Sequence, residues 1–451
     1  MKTRPVIARL RRLLGSPTAA PAPAVPEATD ADKVEMLGRL GVALLQSSRA
    51  SSVVERTLQE IAREYGWPIR SFVLPTLILV EEAVAGAPGT KIFPAVGDGL
   101  RLDQAGEIER LIERASADRT PPAQVVAELD RIRASRPRFG PATRILGHVI
   151  LTVGFGLLLN PVPAAVGVYA VLGAVVGVVV VFGSLLSQLR LVLPVLVPFG
   201  LTILSTTVLA PWIGQDPIQL VAPALVSFLP GLALTLAAVE LASSQMVAGA
   251  SRMVYASAQL GLLVFGVFAA ITIVGVHPSA VHPPQLGWWA PWAGVVLTAL
   301  GYTLFSVAPR GAFLWILAAL AIAYGAQLVG AILTGAQLSG FFGAVVVIPL
   351  VRLMRRLPGA PPAAVMLMCA YWLLVPGALG FIGVSQALEG DGSALTILGQ
   401  TLVSIAAIAL GMVVGVSLGR ESDVLVGRMD RDRRRRAGAG DGARAGRPGL
   451  R

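Results

Sequence analysis

The residues of this chain best suited to chemistry stand where polar groups are most costly. In "SFLPGLALTLAAVE" (227–240) a Pro-Gly pair interrupts an apolar run that closes on Glu240, the only acidic side chain inside any long apolar segment. Pro230 supplies no N–H to a helix ladder and its ring crowds the preceding turn, which costs ~3 kcal/mol in a helix interior; Gly231 adds roughly 1 more. The same signature recurs as "LLVPGALGFIGVSQ" (373–386), with Pro376 lying 146 residues after Pro230 and Gln386 in the place of Glu240.

Two chemistries follow. A carboxyl group inside a membrane segment is a candidate proton-coupling group, so Glu240 is assigned that role; the alternative is an acid at the inner end of its segment, meeting water or Arg252. A broken helix opens backbone N–H and C=O groups that are tolerated only against protein, water or ligand. Half-helix N-termini attract a carboxylate and unwound carbonyls accept from an ammonium, so a zwitterionic amino acid fits both. The substrate-binding candidates are therefore Ser227, Pro230, Gly231 and Thr235 around the first break, and Tyr371, Pro376, Gly377 and Gln386 around the second. One such break reads as an ordinary kink; two in matching contexts point to a secondary transporter's site.

These features need a membrane around them. Apolar residues make up 55% of the 451 and charged residues 14%, and mean hydropathy is +0.72, more apolar surface than a soluble fold could cover. Ten spans are predicted, near 143–160, 163–183, 191–210, 217–241, 255–276, 286–308, 311–334, 337–353, 361–385 and 396–418. The breaks fall in spans four and nine. The expected fold is thus an α-helical polytopic membrane protein with a 5+5 inverted repeat, residues 142–276 and 286–419, the odd number of spans inverting the second half. Arg190, Arg252, Arg310 and the Arg352, Arg355, Arg356 group alternate with loops lacking Lys and Arg. That pattern puts both termini in the cytoplasm of a multi-pass plasma-membrane protein. Trp212, Trp288, Trp289 and Trp292 fall at the outer boundary as an aromatic belt would.

Outside the membrane, residues 1–31 read as a basic start and a Pro/Ala-rich disordered linker, without the unbroken apolar core of a secretory signal. Residues 32–138 read as a small cytoplasmic α/β domain: two helices, a strand over 71–80 with a partner over 90–96, and two more helices. Ser52 and Glu55 fit a capping box for the second helix and Gly66 its stop. Residues 420–451 form a basic disordered tail with ten Arg against five acids. Beside so apolar a body, the basic tails imply anionic lipid and not nucleic acid.

Here the chain resembles the threonine/serine exporter family. "LGRLGVALLQSSRASSVVERTLQEIAREYG" (37–66) follows the family's pattern of Leu-Leu, a small-residue turn and Val-Glu opening a helix. "PGLALTLAAVELASSQMVAGASR" (230–252) matches closely as well. The resemblance spans the chain outside its tails and departs at Ser48, near which the family usually has glycine. It implies export of small hydroxy amino acids driven by the proton gradient; relatives split into two polypeptides are linked to dicarboxylates such as succinate.

Other chemistry has little to build on. Cys369 is the single cysteine, and His277 and His282 lack a third ligand, so no metal and no cofactor is expected. Ser47, Ser48, Ser51 and Ser52 invite a membrane-anchored hydrolase, but residues 32–138 contain neither His nor Cys, leaving only an unplaced Lys33 or Lys91 as a base. No catalytic residue is assigned. The hydroxyls of "TILSTTV" (202–208) read as bonding their own helix backbone, with a polar ligand as the alternative; Tyr324, Gln327 and Gln400 read as helix–helix bonding groups, with a cavity lining as the alternative, and His148 as an interfacial histidine. The oligomeric state stays open.

Overall fold

The computed structural model describes residues 29–82, 89–97, 99–183, 191–275, 284–374 and 402–419, with isolated positions 381, 382, 385, 396, 399 and 400. Its N-terminal unit comprises α1 (Asp30–Gln46), α2 (Ser51–Tyr65), β1 (Ile69–Leu74), β2 (Leu77–Glu82), β3 (Thr90–Pro94), α3 (Leu102–Asp118) and α4 (Pro122–Ala134). The strands form an antiparallel sheet in the order β1-β2-β3. The single strand expected over 71–80 is a hairpin instead. Leu74 pairs with Leu77, and Pro75, lacking an N–H and fixed in φ, turns the chain where a ladder bond would be lost. Leu40, Leu58, Ile78, Ile108 and Leu129 meet in the core of this unit.

Helix ends there depart from the sequence expectation in one informative way. Gly66 stops α2 in the left-handed region at φ 73°, as expected. The Ser52–Glu55 capping box is not formed: α2 starts at Ser51, its N-cap is Ala50, and no side chain of its own caps it.

The turn before it is a Schellman motif, with Ser48 N–H donating to Leu45 O and Arg49 N–H to Leu44 O. Ser48 occupies the left-handed position at φ 57°, where a side chain is disfavoured by roughly 1–2 kcal/mol. The glycine that the sequence lacks here is the residue the geometry favours. Ser48→Gly is expected to stabilise the protein by up to about 1 kcal/mol after the entropy glycine adds to the unfolded chain, seen as a higher midpoint in thermal unfolding.

Among the described residues, seven helices are long and apolar enough to cross a membrane. They are α5 (Pro141–Leu159), α6 (Ala165–Phe182), α7 (Leu193–Ile213), α10 (Met246–Val274), α12 (Ala312–Thr334), the stretch Ala336–Met354 containing α13 (Ser339–Met354), and α15 (Leu402–Gly419). Between them lie α8 (Pro217–Val221) and three shorter apolar helices, α9 (Gly231–Ala242), α11 (Ala290–Phe305) and α14 (Ala363–Leu374). Their order is that of the predicted spans. α10 begins at Met246, however, which draws Arg252 into a helix and out of the loop expected to hold it.

Small residues let these helices close. A Cβ on Gly154 would lie 2.6 Å from Thr298 N, and one on Gly301 would lie 2.3 Å from Leu151 N, so α5 and α11 touch backbone to backbone. Gly266 of α10 closes likewise on Val195 O of α7, and Gly411 of α15 on Phe341 O of α13.

Candidate functional site

Three features surround the first break. The chain passes from α8 through a 3-10 turn at Ala224–Ser227 before α9 starts at Gly231, with Pro230 as its N-cap. One opened carbonyl, Phe228 O, accepts a 2.9 Å hydrogen bond from Gln259 Nε2 of α10. Thr235 Oγ1 donates back to Gly231 O at 2.8 Å, so its hydroxyl is engaged within its own helix.

Ser227 faces a partner that the sequence reading placed at the membrane boundary. His148 is seven residues into α5, about 10 Å from its start, and fully buried. Its Nδ1 lies 3.0 Å from Gly173 O and its Nε2 3.0 Å from Ser227 Oγ. A carbonyl only accepts, which assigns the ring hydrogen to Nδ1 and leaves Nε2 to accept from the Ser227 hydroxyl. The Phe305 ring stands edge-on, its centroid 5.0 Å away.

In α7 the "TILSTTV" stretch departs from α geometry: Ser205–Leu209 is a π-helical turn. Among the described residues the hydroxyls of Thr202, Ser205 and Thr206 have no hydrogen-bond partner, whereas Thr207 Oγ1 donates to Ile203 O. π-turns often mark functional positions.

Glu240 lies at the far end of α9, fully buried, where the N-terminal unit meets the membrane helices. Its Oε1 accepts a 2.7 Å hydrogen bond from the backbone N–H of Ser51. Oε2 is 3.0 Å from Arg252 Nε, though the N–H is not aimed at it, so the two meet as charges. Arg252 Nη2 reaches across to donate to Arg49 O at 3.3 Å. Ser51 is the first residue of α2, the helix without a cap of its own. Glu240 therefore caps a helix 189 residues away in sequence, at the end where the helix dipole favours a negative charge. Arg252 is the partner that the alternative reading of Glu240 named; what sequence reasoning missed here is the Ser51 backbone.

Beside this contact a cavity of about 810 Å³ opens between the N-terminal unit and the membrane helices. α2 lines one side with Arg56, Thr57 and Glu60; α9 contributes Leu236 and Val239, and α14 contributes Met368 and Tyr371. Of the expected site residues, Tyr371 is thus on this cavity, while Ser227, Pro230, Gly231 and Thr235 lie on the other end of α9. Pro376, Gly377 and Gln386 lie outside the described residues. Two further clefts, one along α3 and α4 and one along β1 and β2, involve the N-terminal unit alone.

The serines near the first turn form no dyad with lysine among the described residues. Ser47 Oγ donates to Ala43 O, Lys33 pairs with Asp30, and Lys91 pairs with Glu35. Nor do three His, Cys, Asp or Glu side chains group as metal ligands among the described residues.

Long apolar helices crossing on glycine define a polytopic helical membrane protein, with a cavity where its N-terminal unit meets them. Residues 35–274 match the ThrE family, described as "Putative threonine/serine exporter". The match takes in just over half of the chain, and the chain belongs to that family. Comparison with the curated proteins and with the solved structures gives no match.

Proposed function

We propose that this protein exports threonine, serine and similar small zwitterions from the cytoplasm, driven by proton antiport through alternating access. One observation carries the reading: the cavity is lined by α9 and α14 together, the helices flanking the two Pro-Gly sequences. A substrate there touches both halves of the chain, as a site at a repeat interface requires.

The architecture in this reading has ten spans, the three shorter helices completing the seven long ones, with both ends in the cytoplasm of the plasma membrane. Close packing supports an inverted 5+5 repeat. The glycine pairs Gly147 and Gly154 on α5 and Gly294 and Gly301 on α11 stand 147 residues apart, and each member touches the other helix. Val195 O against Gly266 has its counterpart in Phe341 O against Gly411 at nearly the same offset.

Glu240 is the proton-coupling group of this proposal. Protonation removes the charge facing Arg252, which weakens the hold of the membrane helices on the N-terminal unit beside the cavity. Its antiport partner, the substrate, then enters from the side that this unit covers. The engaged lysines and the missing imidazole in the N-terminal unit favour a gating role there over hydrolysis.

Dicarboxylate export is the second reading, favoured by the arginines that line the cavity. Efflux from cells loaded with labelled threonine, serine and succinate separates the two. Threonine and serine efflux, slowed by a proton uncoupler, is the expected outcome. Succinate efflux without amino-acid efflux would overturn the first reading.

A further inference from the structure

The π-helical turn of α7 carries hydroxyls that the contacts described above leave unused. Thr202, Ser205 and Thr206 fall on one side of the helix at i, i+3 and i+4 spacing, and Thr202 and Ser205 are 1% and 0% exposed. Thr207 and Val208, turned away from them, are exposed. A helical threonine can satisfy its hydroxyl on the carbonyl four residues back, as Thr207, Thr272, Thr303 and Thr334 do. Thr202, Ser205 and Thr206 do not, and they have no other partner among the described residues. A buried hydroxyl left unpaired bears its full desolvation cost, so three side by side call for a polar partner from outside the chain. Their position suits one. α8 packs against the π-turn. A single apolar cluster joins Leu201 and Ala210 of α7 to Leu225, in the 3-10 turn before α9, and to Phe381, five residues beyond Pro376. Ser385, four residues further on, has another buried hydroxyl with no partner among the described residues.

We propose that Thr202, Ser205 and Thr206 form a subsite for the side-chain hydroxyl of the transported molecule. The class of ligand follows from the groups themselves. Each is neutral and able both to give and to accept a hydrogen bond, which suits a neutral group of the same kind. With no charged side chain among them, they offer an ion no counter-charge. A ligand whose ammonium and carboxylate meet the opened backbone of the first break has α7 beside it for its side chain. A site that bonds a substrate hydroxyl also rejects the analogue lacking it, because the site's own groups are then left unpaired. The inference rests on the transport reading in naming the ligand as the exported amino acid, and it assigns the choice of threonine and serine over apolar amino acids to α7.

The test uses the full chain in phosphatidylcholine nanodiscs, titrated calorimetrically with L-threonine and with L-2-aminobutyrate, which is threonine without its hydroxyl. Threonine is expected to bind tighter by at least about tenfold, the worth of one hydrogen bond. Thr202→Val and, separately, Ser205→Ala are expected to weaken threonine by a similar factor and to leave 2-aminobutyrate unchanged, so that the preference disappears. Thr207→Val, whose hydroxyl is already bonded to Ile203 O, should keep it. Because the hydroxyls removed are unpaired, ligand-free Thr202→Val and Ser205→Ala should unfold at no lower a temperature than the unaltered protein. A lower midpoint would show a hydroxyl already bonded within the fold and overturns the proposal. Equal affinity for the two ligands, a preference that survives both variants, or equal weakening of both ligands overturns it as well. So does a sodium chloride titration giving a binding signal that Thr202→Val removes, which makes this a cation site. Exchange of labelled threonine across liposomes, measured on the same variants, separates the two readings. Exchange that keeps its preference over 2-aminobutyrate in both variants leaves transport standing and removes the subsite. Hydroxyl-dependent binding without exchange keeps the subsite and removes transport.

Discussion

Glu240→Gln is expected to abolish gradient-driven export while leaving the protein in the membrane. Glutamine keeps an oxygen for the Ser51 N–H but removes the charge that meets Arg252 at 3.0 Å. Breaking one side of a buried ion pair costs about 3–5 kcal/mol, mostly because the remaining charge is stranded. Arg252, only 16% exposed in its side chain, has little water to turn to. Everted vesicles energised with a proton gradient and supplied with labelled threonine give the readout, and wild-type rates would sink the proposed role. Because the substitution also loosens the junction, a second variant separates proton coupling from docking. In Glu240→Gln combined with Arg252→Gln no charge is stranded, and the turn at Arg49–Ser51 should regain part of its protection from protease, short of wild type because the hydrogen bond from Arg252 Nη2 to Arg49 O is lost. If gradient-driven export stays lost in this pair while threonine exchange at equal concentrations persists, Glu240 carries the coupled proton. If export returns with the docking, Glu240 is a positioning residue alone.

Much of this architecture was legible because it depends on local pattern. Apolar length alone locates the seven long membrane helices, and 3.6-residue spacing locates α1 to α4 to within a few residues. The hairpin at Pro75 was missed although its signal, a proline inside a strand-like run, was present. The cap of α2 could not have been found that way. By residue type Ser52 is a better N-cap than Ala50, and the outcome was decided by a carboxylate that folding brings from another part of the chain. His148 was hidden for a related reason. Sequence placed it near the start of a span, and only the approach of Ser227 and Gly173 turns it into a buried, doubly bonded group. Polar side chains within membrane helices acquire meaning from the helix across from them, which hydropathy does not encode. The arginines lining the cavity show the same limit. Arg352, Arg355 and Arg356 were read as orientation signals, and their meeting with Arg49 and Arg56 of the N-terminal unit around one cavity is a property of the tertiary fold.

The second large effect is expected where α5 crosses α11, and it also probes the proposed repeat. In Gly301→Ala the new methyl group would lie 2.3 Å from Leu151 N and 2.6 Å from Leu151 Cα. Both are backbone atoms and cannot rotate away, so the helices must part. Overpacking of this kind costs about 1–3 kcal/mol where side chains can adjust, and at least the upper end where they cannot. Alanine at Gly167, Gly200 or Gly261, where nothing lies within 4 Å, should be neutral or gain up to about 1 kcal/mol of helix propensity. Thermal unfolding of the variants in detergent compares the two sets, and a Gly301→Ala midpoint equal to that of Gly261→Ala would contradict the crossing as described. Gly154→Ala meets Thr298 N at 2.6 Å and is the counterpart of Gly301→Ala if the halves are related by inversion. Its cost should then be similar, and the double variant should cost less than the sum, because one separation of the helices relieves both clashes. Threonine exchange should slow in each single variant, since this crossing is where the two halves bear on each other. A large stability loss with unchanged exchange would place the moving interface elsewhere, at the contact of α9 with α14.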